Sequence, residues 1–314
     1  MAHNHARVIW PLIAVMAMLT AASFALAGLR LDFASNPYVF VAIALLFAIS
    51  WFYSAVRPHA RLKTITASAG QILLILLFGI LLTYAAVAAK FPYVDAELYA
   101  IDNALGFDRH AYLSFFGHRP WLEQTVSAAY FCMLPQFAAV PVIMFVADDL
   151  ERLQRMIVAI AVALLLTAFI SVFTPSLTAF VFVDLPRMAH VPAGLYTPEP
   201  TMEALRAGTL HAVRLDDLEG LVSFPSFHTT AALLFIWTVR RVPYLLWPAL
   251  ALNSMLIAAT PLDGAHYAID VAGGVAVAAL ALAATQWLCR RRPQGAPQAD
   301  AAAALPDGAL APQR

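Results

Sequence analysis

The chain has 314 residues, of which 62% are hydrophobic and 12% are charged, and its formal net charge is zero. The charged share is about half of that in a typical soluble domain, so the composition excludes an ordinary soluble fold and indicates a chain surrounded by lipid. The zero net charge predicts no nucleic-acid partner, and two cysteines are too few for a disulfide framework or a cysteine zinc cluster.

Eight apolar segments predict an all-α fold, a polytopic membrane helix bundle with about eight transmembrane helices. Such a helix needs roughly 20 predominantly apolar residues. The first segment ends in a sequence that resembles a signal-peptide cleavage site, but its apolar run exceeds the roughly 7–15 residues of a secretory signal, which favours a retained helix. The segments are residues 8–29, 38–56, 71–89, 125–147, 156–181, 226–239, 243–260 and 266–288.

Basic residues in alternate loops predict the orientation. Short cytoplasmic loops are enriched in Lys and Arg, so the pattern places both termini in the cytoplasm and the other loops outside an inner or plasma membrane. The basic residues of this pattern are Arg57, Arg61, Lys63, Arg152, Arg155, Arg240, Arg241 and Arg290 to Arg292.

Two of the predicted outer loops are long. In the first, residues 90–124, acidic residues alternate with aromatic and aliphatic residues over positions 93–105, which predicts a helix lying in the membrane interface. The second, residues 182–225, mixes Pro, Gly, His and charged residues, which predicts a lid or a binding wall.

The chain is therefore divided into three parts. Residues 1–69 are predicted to form two N-terminal transmembrane helices, and residues 70–292 a membrane domain that contains the other six. Residues 293–314 are rich in Ala, Pro and Gln and are predicted to be a disordered cytoplasmic tail.

Three ionisable residues lie at the ends of predicted spans, where dehydration is costly: His228, His266 and Asp270. The histidines are 38 positions apart, about the length of two membrane crossings and a turn, so both are predicted at the same outer face. Each is expected in the first turn of a helix, where free backbone N–H groups attract anions. Two such helix starts predict a phosphate-binding cradle.

Asp270 follows His266 by four positions, so the two are expected on one helix face. The carboxylate would accept a ring N–H of His266 and orient the imidazole as a nucleophile. His228 would act as general acid and base, and Ser226 with the backbone amides after Pro225 would hold phosphate oxygens.

Simpler explanations exist for several of these residues. Ser226 would equally well cap a helix, and Pro225 would suit a first helical turn. Asp263 would close a turn before Gly264, and Glu219 and Arg214 form either a functional pair or a solvated loop pair. The remaining histidines are expected on the surface or in loops.

Pro225-Ser226-Phe227-His228, followed by His266-Tyr267-Ala268-Ile269-Asp270, resembles two motifs of the phosphatidic acid phosphatase type 2 superfamily. These motifs are Pro-Ser-Gly-His and Ser-Arg-x5-His-x3-Asp. The form Ser-Phe-Pro-Ser-Phe-His is most similar to the inositolphosphotransferase-like branch, which contains inositol phosphorylceramide synthases. The resemblance covers about residues 70–290 and implies a six-helix phosphatase-like core.

The resemblance also implies the roles of individual residues. His266 would be the nucleophile that forms a phosphohistidine, Asp270 would orient it, His228 would be the general acid and base, and Ser226 would bind phosphate. The family needs no metal or other cofactor, and its partners are membrane lipids, including a phosphorylated lipid substrate.

The sequence departs from the family pattern at positively charged positions. Ala259 and Thr260 replace the Ser-Arg pair of the third motif, an arginine that the inositol phosphorylceramide synthase branch also lacks. The first motif, Lys-x6-Arg-Pro, has no match at its expected place. Arg187 or Arg214 is therefore predicted to supply the phosphate-binding cation.

These observations predict a membrane lipid phosphatase or a lipid head-group phosphotransferase whose active site faces the periplasm or extracellular space. Two alternatives remain open: a metal-dependent intramembrane hydrolase, and a non-catalytic transporter or scaffold with a decayed site.

Overall fold

The structure, a computed structural model, describes residues 3–182 and 199–290. Twelve helices and two short strands form in these residues, and the predicted all-α polytopic helix bundle is confirmed. The elements are α1 (His3–Ala27), β1 (Arg30–Asp32), α2 (Tyr38–Ala55), α3 (Ala60–Ala88), α4 (Asp95–Ala104), α5 (Arg109–Gly117), α6 (Pro120–Phe131), α7 (Met133–Val146), α8 (Leu150–Phe173), α9 (Glu199–Ala207), β2 (Ala212–Arg214), α10 (Phe227–Val239), α11 (Leu246–Asp263) and α12 (Ala268–Leu288).

Five helices are long and apolar enough to cross a membrane: α1, α2, α3, α8 and α12. A sixth predicted span is a pair of helices, α6 and α7, bent by 59° at a short break. The predicted spans 226–239 and 243–260 are also helical, but α10 has only 13 residues and α11 falls outside the group of five. The described residues thus contain five or six candidate spans of the eight predicted.

The centre of the bundle is formed by α3 and α8, the two most buried of the candidate spans. Along α8, Leu153, Met156, Ile157 and Ile160 are almost completely buried. They pack in a cluster with residues of α1, α3, α7, α10 and α12. This packing explains why α8 has apolar residues on nearly every side, as expected of a helix surrounded by other helices.

The predicted amphipathic segment 93–105 is helical, since α4 spans Asp95–Ala104. Its acidic residues, however, do not all face water: Asp95 and Asp102 are buried, at 7% and 2% exposure. Asp102 reaches the start of α12, and Asp95 reaches Ser176. The helix therefore lies with these two carboxylates against the bundle, because buried backbone amides and hydroxyls there need acceptors.

The second long loop is partly tied to the N-terminal region. Strand β2 pairs in parallel with β1, and the backbone N–H of Leu215 donates to the hydroxyl of Ser35. Helix α9 packs nearby through Met202 and Leu205. Arg187 and the predicted tail, residues 293–314, lie outside the described residues.

Candidate functional site

The starts of α10 and α12 lie in direct contact. An added Cβ on Gly274 of α12 would come within 2.5 Å of the backbone oxygen of Ser226, so only glycine allows this approach. The backbone N–H of Ser226 donates to the backbone oxygen of Asp270 at 3.0 Å, and the Thr230 hydroxyl donates to the backbone oxygen of Gly274 at 2.9 Å. The two predicted motifs are therefore brought together by backbone contacts.

His266 lies just before α12, which begins at Ala268, so the expectation that it occupies the first helical turn is wrong. The predicted contact with Asp270 is nevertheless present, with 3.1 Å between His266 Nδ1 and Asp270 Oδ2. Asp270 is the third residue of the helix, from which a carboxylate reaches back over the N-terminus. The contact thus comes from helix capping geometry and not from a shared helix face.

One carboxylate oxygen of Asp270, Oδ2, lies within hydrogen-bonding distance of three groups. Besides His266 Nδ1, Oδ2 accepts from the Ser223 hydroxyl at 2.6 Å and from the backbone N–H of Tyr267 at 2.9 Å. Both Asp270 and His266 are buried, at 0% and 3% exposure. The carboxylate is held in one orientation, which leaves Nε2 as the ring nitrogen of His266 that does not contact Asp270.

The sequence pattern predicts no role for Ser223. The residue begins the Ser-Phe-Pro-Ser-Phe-His segment, but local spacing does not indicate a contact with a carboxylate 47 positions later.

The rings of His228 and His266 lie edge to face, with centroids 5.9 Å apart and an interplanar angle of 67°. The ring of Tyr130 on α6 stacks on His228 at 4.4 Å and 19°. Tyr130 thus fixes the plane of the His228 imidazole, although no sequence signal linked the two residues. The predicted convergence of two imidazoles from separate helices is therefore present.

Ser226 is completely buried and caps α10, since its side chain accepts from the Thr229 N–H at 3.3 Å. The capping explanation is thus confirmed. The hydroxyl proton of Ser226 can still be donated to another acceptor. Pro225 precedes this cap and does not occupy the first helical turn.

Arg109, at the start of α5, supports the backbone of His266. Its guanidinium donates to the oxygen of His266 and, at 3.2 Å, to the oxygen of Pro261. The residue is 3% exposed, and its nearest carboxylate is Asp102 at 3.9 Å. Burial lowers the pKa of the guanidinium below its ordinary value, and Asp102 opposes this shift.

Asp102 occupies the N-terminus of α12. Its two oxygens accept from the backbone N–H groups of Ala268 and Ile269 at 2.8 and 2.9 Å. The prediction that the starts of both helices offer free N–H groups to phosphate is therefore wrong for α12. A protein carboxylate already takes the place of the anion there.

Of the two arginines predicted to bind phosphate, Arg214 makes no contact with the histidine pair in the described part of the chain. Arg214 is exposed and bonded to Asp216 at 2.6 Å and to Asp217 at 3.0 Å. The hydrogen bond to Asp216 is the main reason why its pKa is raised. Arg187 lies outside the described part of the chain.

A family model described as the PAP2 superfamily matches residues 96–284, more than half of the chain. The matched range begins in α4 and ends in α12, so it contains Asp102, Arg109, His228, His266 and Asp270. No curated protein and no solved structure matches the chain significantly.

Proposed function

The chain belongs to the PAP2 superfamily of phosphatases and phosphotransferases, and we propose that it cleaves or transfers a phosphoryl-linked group of a membrane lipid. The observation that carries this proposal is the pair of neighbouring imidazoles, one of which is bonded to a buried carboxylate. A nucleophile and a general acid within reach of the same phosphoryl group suit phosphoryl transfer.

The first step would be attack on the phosphorus. The lone pair of His266 Nε2 forms a bond to phosphorus while the bond from phosphorus to the leaving oxygen breaks, and His228 gives its proton to that oxygen. Attack needs a nitrogen–phosphorus distance of about 3–3.5 Å, and protonation needs a hydrogen bond of about 2.6–3.2 Å to the leaving oxygen. With ring centroids 5.9 Å apart, both imidazoles would reach a single phosphoryl group bound beside them.

The second step would release the phosphohistidine. Water or an alcohol attacks phosphorus, His228 takes the proton of the attacking hydroxyl, and the phosphorus–nitrogen bond returns its electrons to His266. Water gives a phosphatase, and an alcohol gives a phosphotransferase.

Asp270 would act throughout on His266. Its contact with Nδ1 places the ring proton on that nitrogen and leaves the lone pair on Nε2 for attack. It would also stabilise the positive ring that forms in the phosphohistidine. Ser226, at the start of α10, would donate its hydroxyl proton to a phosphate oxygen.

The cation that neutralises the phosphate would come from Arg187 in preference to Arg214. Arg214 is already bonded to two carboxylates, whose negative charges oppose the attraction of this guanidinium for a phosphate. We expect Arg187→Gln to reduce turnover more strongly than Arg214→Gln, when both are assayed at saturating substrate. Equal rates in wild type and Arg187→Gln would remove Arg187 from the site.

A direct test uses the purified chain with phosphatidic acid, ceramide and phosphatidylinositol. Release of inorganic phosphate and formation of new lipids are measured in the same reaction. We expect an acid-labile covalent phosphate on the wild type that is absent from His266→Ala. Labelling that persists in His266→Ala would contradict the mechanism, and activity that disappears with a chelator would favour a metal-dependent hydrolase.

The proposal also includes the side of the membrane. The arginine-rich loops would face the cytoplasm, and the histidine pair would face the periplasm or extracellular space. A reporter active only in the cytoplasm, fused after residue 290, should give signal. If that fusion gives no signal and a reporter active only outside the cytoplasm does, the orientation is the opposite of the one proposed.

A further inference from the structure

A cavity of about 270 Å³ lies at the end of the bundle opposite the histidine pair. It is formed where α8 begins and α10 ends, and its walls carry four arginines, two carboxylates and Trp237. Helix α10 begins next to His228 and ends at this cavity. Its 13 residues give it a length of about 20 Å, at roughly 1.5 Å per residue. The cavity is therefore separate from the candidate active site.

The arginines of this cavity outnumber its carboxylates. Within residues 3–182 and 199–290, Arg240 and Arg241 form no ion pair, so two positive charges remain without a compensating carboxylate. The two arginines that do have partners are Arg152, 2.8 Å from Asp149, and Arg155, 2.7 Å from Glu151.

Two of these guanidinium groups are held in position by α10. Arg152 Nη1 donates to the backbone oxygen of Thr238 at 3.3 Å, which connects the start of α8 to the end of α10. Arg240 lies over the ring of Trp237, 4.5 Å from its centroid, and donates to the backbone oxygen of the same residue. Groups held in this way lose little conformational freedom when an anion binds.

Aromatic residues place the cavity at the level of the lipid head groups. Just beyond α10, Tyr244 and Trp247 are 93% and 75% exposed. Tyr and Trp side chains exposed at the end of a membrane helix are typical of the membrane–water interface. These exposed rings therefore indicate that the cavity opens near the lipid head groups.

We propose that this cavity binds the phosphate of an anionic phospholipid in the leaflet opposite the candidate active site. Basic pockets between transmembrane helices recognise such head groups. A volume below the roughly 300–1,000 Å³ of sites for larger ligands fits a phosphate with a small substituent, while the acyl chains remain outside. The planar guanidinium groups suit the two-point contact that phosphate accepts.

The test measures binding of phosphatidylglycerol to the full chain in detergent micelles, by the rise in unfolding temperature during a lipid titration. The His266→Ala background prevents turnover, so the result does not depend on the proposed enzymatic function. We compare Arg241→Gln and Arg240→Gln/Arg241→Gln with Arg57→Gln and Arg57→Gln/Lys63→Gln. These controls remove the same charge from exposed positions, Arg57 after α2 and Lys63 in the first turn of α3.

We expect phosphatidylglycerol, but not phosphatidylcholine, to stabilise the protein. The apparent dissociation constant should rise about fivefold in Arg241→Gln and about thirtyfold in the double variant, since each interfacial arginine contributes separately to binding an anionic lipid. The control variants should stay within about twofold of the wild type, because Arg57 and Lys63 do not line the cavity and exposed charges are screened by salt.

Three results would overturn the proposal. The first is an equal loss of affinity in the control variants, and the second is no preference between the two lipids. The third is equal stabilisation by inorganic phosphate, which would identify the free anion as the ligand. Should the double variant not fold, Arg241→Gln decides alone, since its guanidinium makes no hydrogen bond within residues 3–182 and 199–290.

Discussion

The two ends of the helix bundle carry the same kinds of charged residues in opposite surroundings. At the histidine end, the side chains of Arg109 and Asp102 are 2% and 3% exposed. At the other end, those of Arg61 and Asp148 are 44% and 74% exposed, at 3.2 Å. A buried charge that loses its partner is costly, whereas an exposed pair is screened by water. Only the first arrangement can hold a reacting group in one position.

The carboxylates at the histidine end connect distant parts of the chain. Asp102 joins α4 to the start of α12. Asp95, also on α4, accepts hydrogen bonds from the hydroxyl of Tyr267 at 3.0 Å and from that of Ser176. Asp270 joins the segment before α10 to His266. The carboxylates at the opposite end mainly bond arginines close to them in sequence or exposed to solvent.

The largest effect is expected when the reacting group itself is removed. His266→Ala should lower kcat by at least about a thousandfold, because no other group can take the place of a nucleophile. His211→Ala is the matched control, since His211 is exposed. Substantial turnover by His266→Ala would mean that His228 and His266 are not the catalytic pair.

The next effect concerns stability at the histidine end. Asp102→Asn should lower the free energy of unfolding by about 3 kcal/mol or more, since it leaves Arg109 buried without its charge partner. The substitution also replaces one carboxylate oxygen, which accepts a hydrogen bond from a backbone N–H of α12, by an amide group that can only donate. Denaturant titration of the purified protein in micelles measures this change. A loss below about 1 kcal/mol would show that burial does not make this pair structurally important.

A smaller effect is expected for the positioning of the nucleophile. Ser223→Ala removes a 2.6 Å hydrogen bond to Asp270 and should lower kcat about ten- to a hundredfold, with little change in KM. It should also shift the pH profile of kcat, because Asp270 then orients His266 less well. Ser223→Thr keeps the hydroxyl and should restore most of the rate. Equal loss in both variants would point to a packing defect instead.

The smallest effect is expected at the opposite end. Asp148→Asn makes the same chemical change as Asp102→Asn in an exposed ion pair, and it should cost less than about 1 kcal/mol. Asn also tolerates the positive φ of 56° at this position. If the two substitutions cost the same free energy in parallel titrations, exposure would not explain the difference between the two ends.

Much of the helical architecture and the approach of the two histidines followed from local patterns. Apolar length predicted the membrane helices, and the 38 positions between His228 and His266 predicted that both lie at one face. The contact of His266 with Asp270 was also anticipated, although the reason was wrong, since the ring precedes the helix. A spacing of four residues allows this contact in more than one backbone geometry, so the pattern could not distinguish them.

The supporting residues could not be found in this way. Arg109 binds the backbone oxygen of a residue 157 positions later, and Asp102 caps a helix more than 160 positions away. The acidic residues of α4 looked like the water-facing side of an interfacial helix, because an amphipathic pattern states only that two faces differ. Which face meets water is decided by what packs against the helix.

Apolar length, charge and short spacing were enough to predict an all-α membrane bundle, its more and less basic ends, and the approach of His228 to His266. These local properties could not predict which other groups surround the two histidines. Asp102, Arg109, Ser223 and Tyr130 come from separate segments, and they meet because buried polar groups must find partners wherever the packed helices bring them together.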